Sequence, residues 1–163
     1  VMSRVEQGYG VLSQCLGADG SGGNLLNIKA GGSRLPASAE TNKDNLHYIY
    51  MDGSEVFKFA VRIMVTAAEE AVKLAGITKD DIKYLVPHQA NIRIIDGAAK
   101  RLNMSTDKIW VNLEKYGNMS GASVPIALDE AVRSGNVRKG DNVCLVGFGG
   151  GLTWASTVLK WAI

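Results

Sequence analysis

The chain is poor in the residue types that would settle its chemistry at a glance. Among 163 residues it has two cysteines and two histidines. Cys15 and Cys144 lie far apart in apolar runs. That is neither a disulfide framework nor a zinc spacing, and free thiols suit a reducing compartment such as the cytoplasm. No apolar run reaches the length of a membrane span, and no basic-then-apolar leader opens the sequence, so no membrane association is expected. Charge is nearly balanced, with 18 Lys and Arg against 16 Asp and Glu. The basic residues are scattered apart from one helical face, which argues against a nucleic-acid partner. No internal repeat and no low-complexity segment is present.

The length suits one domain with one good core. The opening Val1-Met2-Ser3-Arg4-Val5 already reads as a strand, with no initiating methionine and no polar lead-in. The expectation is that this is the C-terminal part of a longer polypeptide.

Residues 1–5 and 10–18 read as two strands of a hairpin around Glu6 to Tyr9. A glycine-rich turn covers 19–23, and 25–28 is ambiguous. Residues 31–45 are rich in Gly, Ser, Ala, Asn and Thr and read as a long loop, which in a compact domain is often a functional cover. Val56, Ala60, Ile63, Ala67, Ala71 and Ala75 recur at helical steps over 54–75, with Gly76 as the stop. Tyr84 to Val86 is a short buried strand. Ile92, Ile95, Ala99 and Leu102 form the next helical stripe, N-capped by Asn91. A strand is expected at 109–113. A helix follows around Val124 to Val132, capped by Ser120 or Ser123, with Pro125 in its first turn. Strands at 143–146 and 152–163 flank the loop 147–151. This order predicts an α/β protein with helices layered on a mixed sheet.

Three segments carry chemistry. His88 stands where a buried strand turns through Pro87 into a helix start, a position from which α/β enzymes present catalytic groups; a structural histidine is the plainer alternative. His47 follows a polar loop and reads as structural. Asn118, in Tyr116-Gly117-Asn118-Met119-Ser120-Gly121, reads as a turn residue or as an amide donor to a developing oxyanion. Asn118-Met119-Ser120 and Asn103-Met104-Ser105 match glycosylation sequons by chance. The run Gly147-Phe148-Gly149-Gly150-Gly151 is neither a phosphate loop nor a dinucleotide fingerprint. It is a hairpin, or backbone that must approach a ligand closely. Arg93, Lys100 and Arg101 follow His88 on one helix, and Lys58 could extend their patch. Such a face is solvated, or it meets an acidic protein.

Taken together, residues 51–60, 86–93, 116–123 and 147–154 resemble β-ketoacyl-acyl carrier protein synthase III, the initiating condensing enzyme of fatty acid synthesis, in the family's order. The resemblance implies the C-terminal half of a thiolase-like fold, with a mixed five-stranded sheet layered with helices. It implies acyl transfer from acyl-CoA to a cysteine, then decarboxylative condensation with malonyl-acyl carrier protein. His88 and Asn118 would bind the malonyl thioester oxygen, and the Gly150 N–H would help form an oxyanion hole. Phe148 would wall the site, and Phe57, Ala90 and Asn91 would line the pantetheine tunnel. Lys58, Arg93, Lys100 and Arg101 would meet the carrier protein. No cofactor and no metal are implied, and the family's homodimer is expected. The nucleophile is missing, because Cys15 and Cys144 lack the family's nucleophile motif and read as core residues. The chain alone should be inactive without its own N-terminal half. Two other readings stand beside this one: a non-catalytic acyl-CoA or carrier-protein binding fragment, and another thiolase-like condensing enzyme.

Overall fold

The structure, a computed structural model, describes residues 4–163. Its centre is a four-stranded mixed sheet built from β1 (Gly10–Ala18), β4 (Ile82–Pro87), β5 (Asn142–Gly149) and β6 (Thr153–Lys160), in the order β1-β6-β5-β4. Strands β4 and β5 run parallel; the other two pairings are antiparallel. Two short strands, β2 (Leu26–Ile28) and β3 (Ile49–Met51), form a separate ribbon, which resolves the ambiguous segment.

Three expectations are corrected. The first arm of the expected hairpin lies partly outside the described residues, at 1–3; Arg4 and Val5 are not in a strand, and among the described residues β1 pairs with β6. The segment 109–113 does not join the sheet: it makes an isolated bridge from Ile109 to Leu85 and then turns into α4 (Leu113–Tyr116). The sheet therefore has four strands where five were expected. Pro87 has no N–H with which to carry the ladder on past Leu85, and a side chain takes up the groups left over. Buried Gln89 donates from Nε2 to the Trp110 carbonyl at 3.2 Å, and its Oε1 accepts the Asn112 N–H at 3.1 Å. These bonds occupy backbone groups that a continuing ladder would need. Third, the long loop contains a short helix, α1 (Ala39–Lys43), started by a reciprocal Ser38–Thr41 capping box.

The long helix α2 (Gly53–Leu74) follows the predicted periodicity. Asp52 caps it through the Glu55 N–H, and Gly76, at φ +70°, ends it in the left-handed conformation that favours glycine. Its alanines 60, 67 and 71 are completely buried, which lets α3 (Ile92–Leu102) and the sheet approach closely. A Cβ added at Gly97 of α3 would lie 3.2 Å from the Val61 side chain. Side chains alternate along β4. Leu85 packs into the α2–α3 core, whereas Val86 faces Ala127 and Ala131 of α5 (Ser123–Arg133) on the other side. Helices thus clamp the parallel strands β4 and β5 from both faces. That fixes the end of β4, where the His88 N–H still donates to Val146 O at 2.8 Å. Among the described residues no helix is long and apolar enough to cross a membrane.

Candidate active site

His88, Asn118, Phe148 and Gly150 line one open cleft of about 1720 Å³. Its floor includes Leu16 of β1 and Ala155 of β6, with Leu26 and Met51 of the ribbon at one side. Most of the site residues expected from sequence therefore converge on one cavity.

His88 is half-buried at the end of β4, its ring edge-on to Phe148 with centroids 5.5 Å apart. Burial holds its pKa below the ordinary 6.5, so the ring is neutral at physiological pH. Its Nδ1 lies 2.6 Å from Ser123 Oγ, which also accepts the Gln89 N–H at 3.2 Å. With Nδ1 so engaged, the opposite nitrogen, Nε2, remains for the cleft.

Asn118 is exposed, and its Oδ1 accepts the Ser120 N–H at 3.0 Å. That local turn consumes the amide oxygen and leaves the Nδ2 donors available. Ser120 supplies its N–H from a left-handed conformation, φ +53°, which non-glycine residues rarely adopt. The turn expected of Asn118 and its use as a donor are thus compatible.

Gly147 and Gly149 belong to β5, so the connection to β6 is shorter than the glycine run. At Gly150 an added Cβ would lie 3.0 Å from the Leu26 carbonyl oxygen, so a side chain there needs the backbone to give by a few tenths of an ångström. Mutual hydrogen bonds between Asp19 and Leu152, 2.7 and 2.9 Å, pin the same turn to the end of β1. The Phe148 ring packs on Phe59, which in turn packs on Trp154, forming an aromatic wall.

Phe57, Ala90, Asn91, Lys58 and Arg93 also line the cleft. The Asn91 side chain caps α3 through the Arg93 N–H, and the Arg93 guanidinium lies 5.7 Å from the Phe57 ring centroid. Lys58 pairs with Glu55 at 2.6 Å. Lys100 and Arg101 sit in the last turn of α3, about 10 Å further along its axis and outside the cleft. The loop 31–45 contributes nothing to the cleft lining, so it is not a cover here. His47 contacts Thr41 Oγ1 at 2.9 Å, in keeping with a structural residue.

Neither cysteine lines the cleft. Cys15 is buried beside Glu70, and burial followed by that carboxylate raises its pKa. Burial pushes the Cys144 thiol up to about 11. Both are core thiols, not nucleophiles. Among the described residues no group of His, Cys, Asp and Glu could hold a metal.

Sequence reasoning missed the scaffold under His88 and Asn118. Gln89, completely buried, ties the end of β4 to Asn112. Asn112 Nδ2 donates to Glu130 Oε2 at 2.8 Å, and Lys115 pairs with Glu130 Oε1. Lys115, then Asn112, holds the Glu130 carboxyl below the usual carboxylate range. Ser123, expected as a helix cap, spends its hydroxyl at His88. The N-cap of α5 is Ala122, with no side-chain bond. A serine beside the predicted helix start was the available signal, but its partner lies 35 residues away.

Residues 72–161, more than half of the chain, match the family described as 3-oxoacyl-[acyl-carrier-protein (ACP)] synthase III C terminal. The chain belongs to that family. It is 58% identical over 162 residues to the β-ketoacyl-[acyl-carrier-protein] synthase III of Caldanaerobacter subterraneus subsp. tengcongensis, covering 99% of this chain and 49% of that protein. The protein of the same name from Clostridioides difficile is 56% identical, over all of this chain and 49% of its own length. The crystal structure of the synthase III from Thermus thermophilus superposes with a TM-score of 0.87 at 51% identity, over 97% of this chain and 48% of that one. The fold is therefore the thiolase-like one of the synthase III structures. The chain spans about half the length of the curated relatives it matches.

Proposed function

We propose that this chain is the decarboxylating half of a condensing enzyme that joins an acyl starter from acyl-CoA to malonyl-acyl carrier protein. The observation that carries this reading is the presentation of two neutral groups, His88 and Asn118, on one cleft. One atom of each is already engaged by the scaffold, and the other is left for a ligand. Family membership and the glycine-lined turn beside them support it.

A cysteine thiolate of an N-terminal half, covalent or associated, takes the acyl group and releases the CoA thiol. The malonyl thioester oxygen then accepts hydrogen bonds from His88 and Asn118. The bond to the malonyl carboxylate breaks and carbon dioxide leaves. The electron pair passes into the thioester as an enolate, whose oxygen the two donors stabilise. Neutral donors suit this step because they favour negative charge only as it develops. The enolate carbon attacks the acyl carbonyl, and the Gly150 N–H, with the nucleophile's own N–H, holds the resulting oxyanion. Collapse expels the cysteine thiolate and leaves a β-ketoacyl thioester on the carrier. Decarboxylation supplies the carbanion, so the reaction calls for no cofactor.

Phe57, Ala90 and Asn91 would line the pantetheine arm, with Phe148 as the wall. Lys58, Arg93, Lys100 and Arg101 would meet the acidic carrier protein, and the complete enzyme would form a homodimer. In the complete enzyme, His88→Ala or Asn118→Ala should slow malonyl decarboxylation by roughly 10²–10³ while acylation of the cysteine persists. Normal decarboxylation in either variant would refute the assigned role.

A further inference from the structure

Ser123 is completely buried at the first position of α5, and its hydroxyl bonds to no amide of its own helix. It is therefore not an N-cap, and its location calls for another explanation. Three groups surround Oγ: His88 Nδ1 at 2.6 Å, the Ser120 carbonyl oxygen at 3.0 Å and the Gln89 N–H at 3.2 Å. The Gln89 N–H occupies one lone pair. The single hydroxyl proton goes either to Ser120 O, with a protonated Nδ1 then donating to Oγ, or to a bare Nδ1. Ser120 O, at 3.0 Å, takes the backbone N–H of Ser123 and has a second lone pair for the hydroxyl, but Nδ1, at 2.6 Å, is the nearer of the two and has no other partner among the described residues.

We propose that the Ser123 hydroxyl sets the tautomer of His88, donating to Nδ1 so that the ring's N–H sits on Nε2 and faces the cleft. This rests on the reading of His88 as a donor to the thioester oxygen. With the proton on Nδ1 instead, the bare Nε2 lone pair would face the substrate oxygen and repel it, and a neutral ring can carry only one proton. Ser123 touches no substrate in this scheme and is a positioning residue.

The consequence extends to Asn118. The Ser120 N–H fixes the Asn118 amide through its oxygen, and three residues later Ser123 fixes the imidazole. One turn of 3₁₀ helix, Ser120–Ala122 with Ser123 at its end, thus orients both donors.

The test is nitrogen NMR of the complete enzyme, this chain together with its nucleophile-bearing half, labelled with ¹⁵N-histidine. His88 signals are assigned by their loss in His88→Gln. Neutral His88 should show a bare, hydrogen-bonded Nδ1 and a protonated Nε2. A protonated Nδ1 with a bare Nε2 would overturn the proposal, and this measurement needs no variant of Ser123 to fold. Ser123→Ala should slow decarboxylation roughly tenfold to a hundredfold, with acylation of the cysteine and the KM for the malonyl thioester little changed. Ser123→Thr, which keeps the hydroxyl, should recover most of the rate. Full activity in folded Ser123→Ala beside a crippled His88→Gln would overturn the role of Ser123 alone. An unimpaired His88→Gln would instead bring down the role of His88 itself.

Discussion

Gln89 Oε1 accepts the backbone N–H of Asn112 at 3.1 Å, so the strand end that carries His88 is bolted to the segment that leads to Asn118. The amide's other end donates to Pro87 O at 2.8 Å and Trp110 O at 3.2 Å, and the residue has no exposed surface. Gln89→Leu would keep the volume but leave a buried N–H and two carbonyls with fewer partners. A loss of roughly 2–4 kcal/mol is expected, read as a lower denaturant midpoint at unchanged slope. A midpoint equal to the parent's would show that the bolt carries no stability.

The same contact explains what the sequence could and could not reveal. Tyr84 to Pro87 reads as a strand because it is one, clamped by helices on both faces, and Asn91 reads as a cap because its bond to the Arg93 N–H is local. The α2 stripe is legible for a similar reason, since its burial follows one helical face. Trp110 to Asn112 has the composition of a strand but lies opposite Pro87, which offers no N–H, and has its backbone groups taken by the Gln89 side chain 20-odd residues earlier; its own composition carries no trace of either. Ser123 is the same case. Locally it competes as a cap, and only the tertiary approach of His88 decides its use.

The turn at Gly150 should accept a side chain only at a cost. In Gly150→Ala the added methyl would come within 3.0 Å of Leu26 O, a backbone atom held in the β2–β3 ribbon. The turn or the ribbon must shift, at a cost of about 1–3 kcal/mol. Condensation should fall more than cysteine acylation falls, if the Gly150 N–H serves the oxyanion of the later step. Equal losses in both half-reactions would indicate a general distortion of the cleft.

The two thiols offer a test of the core. With Cys144 at about 11, on the order of one molecule in a thousand carries its thiolate at pH 8, and both cysteines are buried. Iodoacetamide should leave the native chain unmodified on the timescale that labels it fully in denaturant. Rapid native labelling at Cys15 would mean that the β1–α2 packing around Glu70 opens readily.

Acidification should weaken the fold through His88. Burial depresses its folded-state pKa below 6.5, so in the window just below 6.5 the unfolded chain binds more protons than the native one. Stability contributed by the neutral ring is complete above the unfolded value. It is lost as pH falls from there through the folded value, and no further loss from this group follows below. The slope of midpoint against pH in that window should therefore flatten in His88→Gln. With His88 in the proposed role, any acid limb of decarboxylation that it sets should lie below 6.5, where Nδ1 takes up a proton and can no longer accept from the Ser123 hydroxyl. An acid limb at or above 6.5, unchanged when His88 is replaced by glutamine, would assign it to another group.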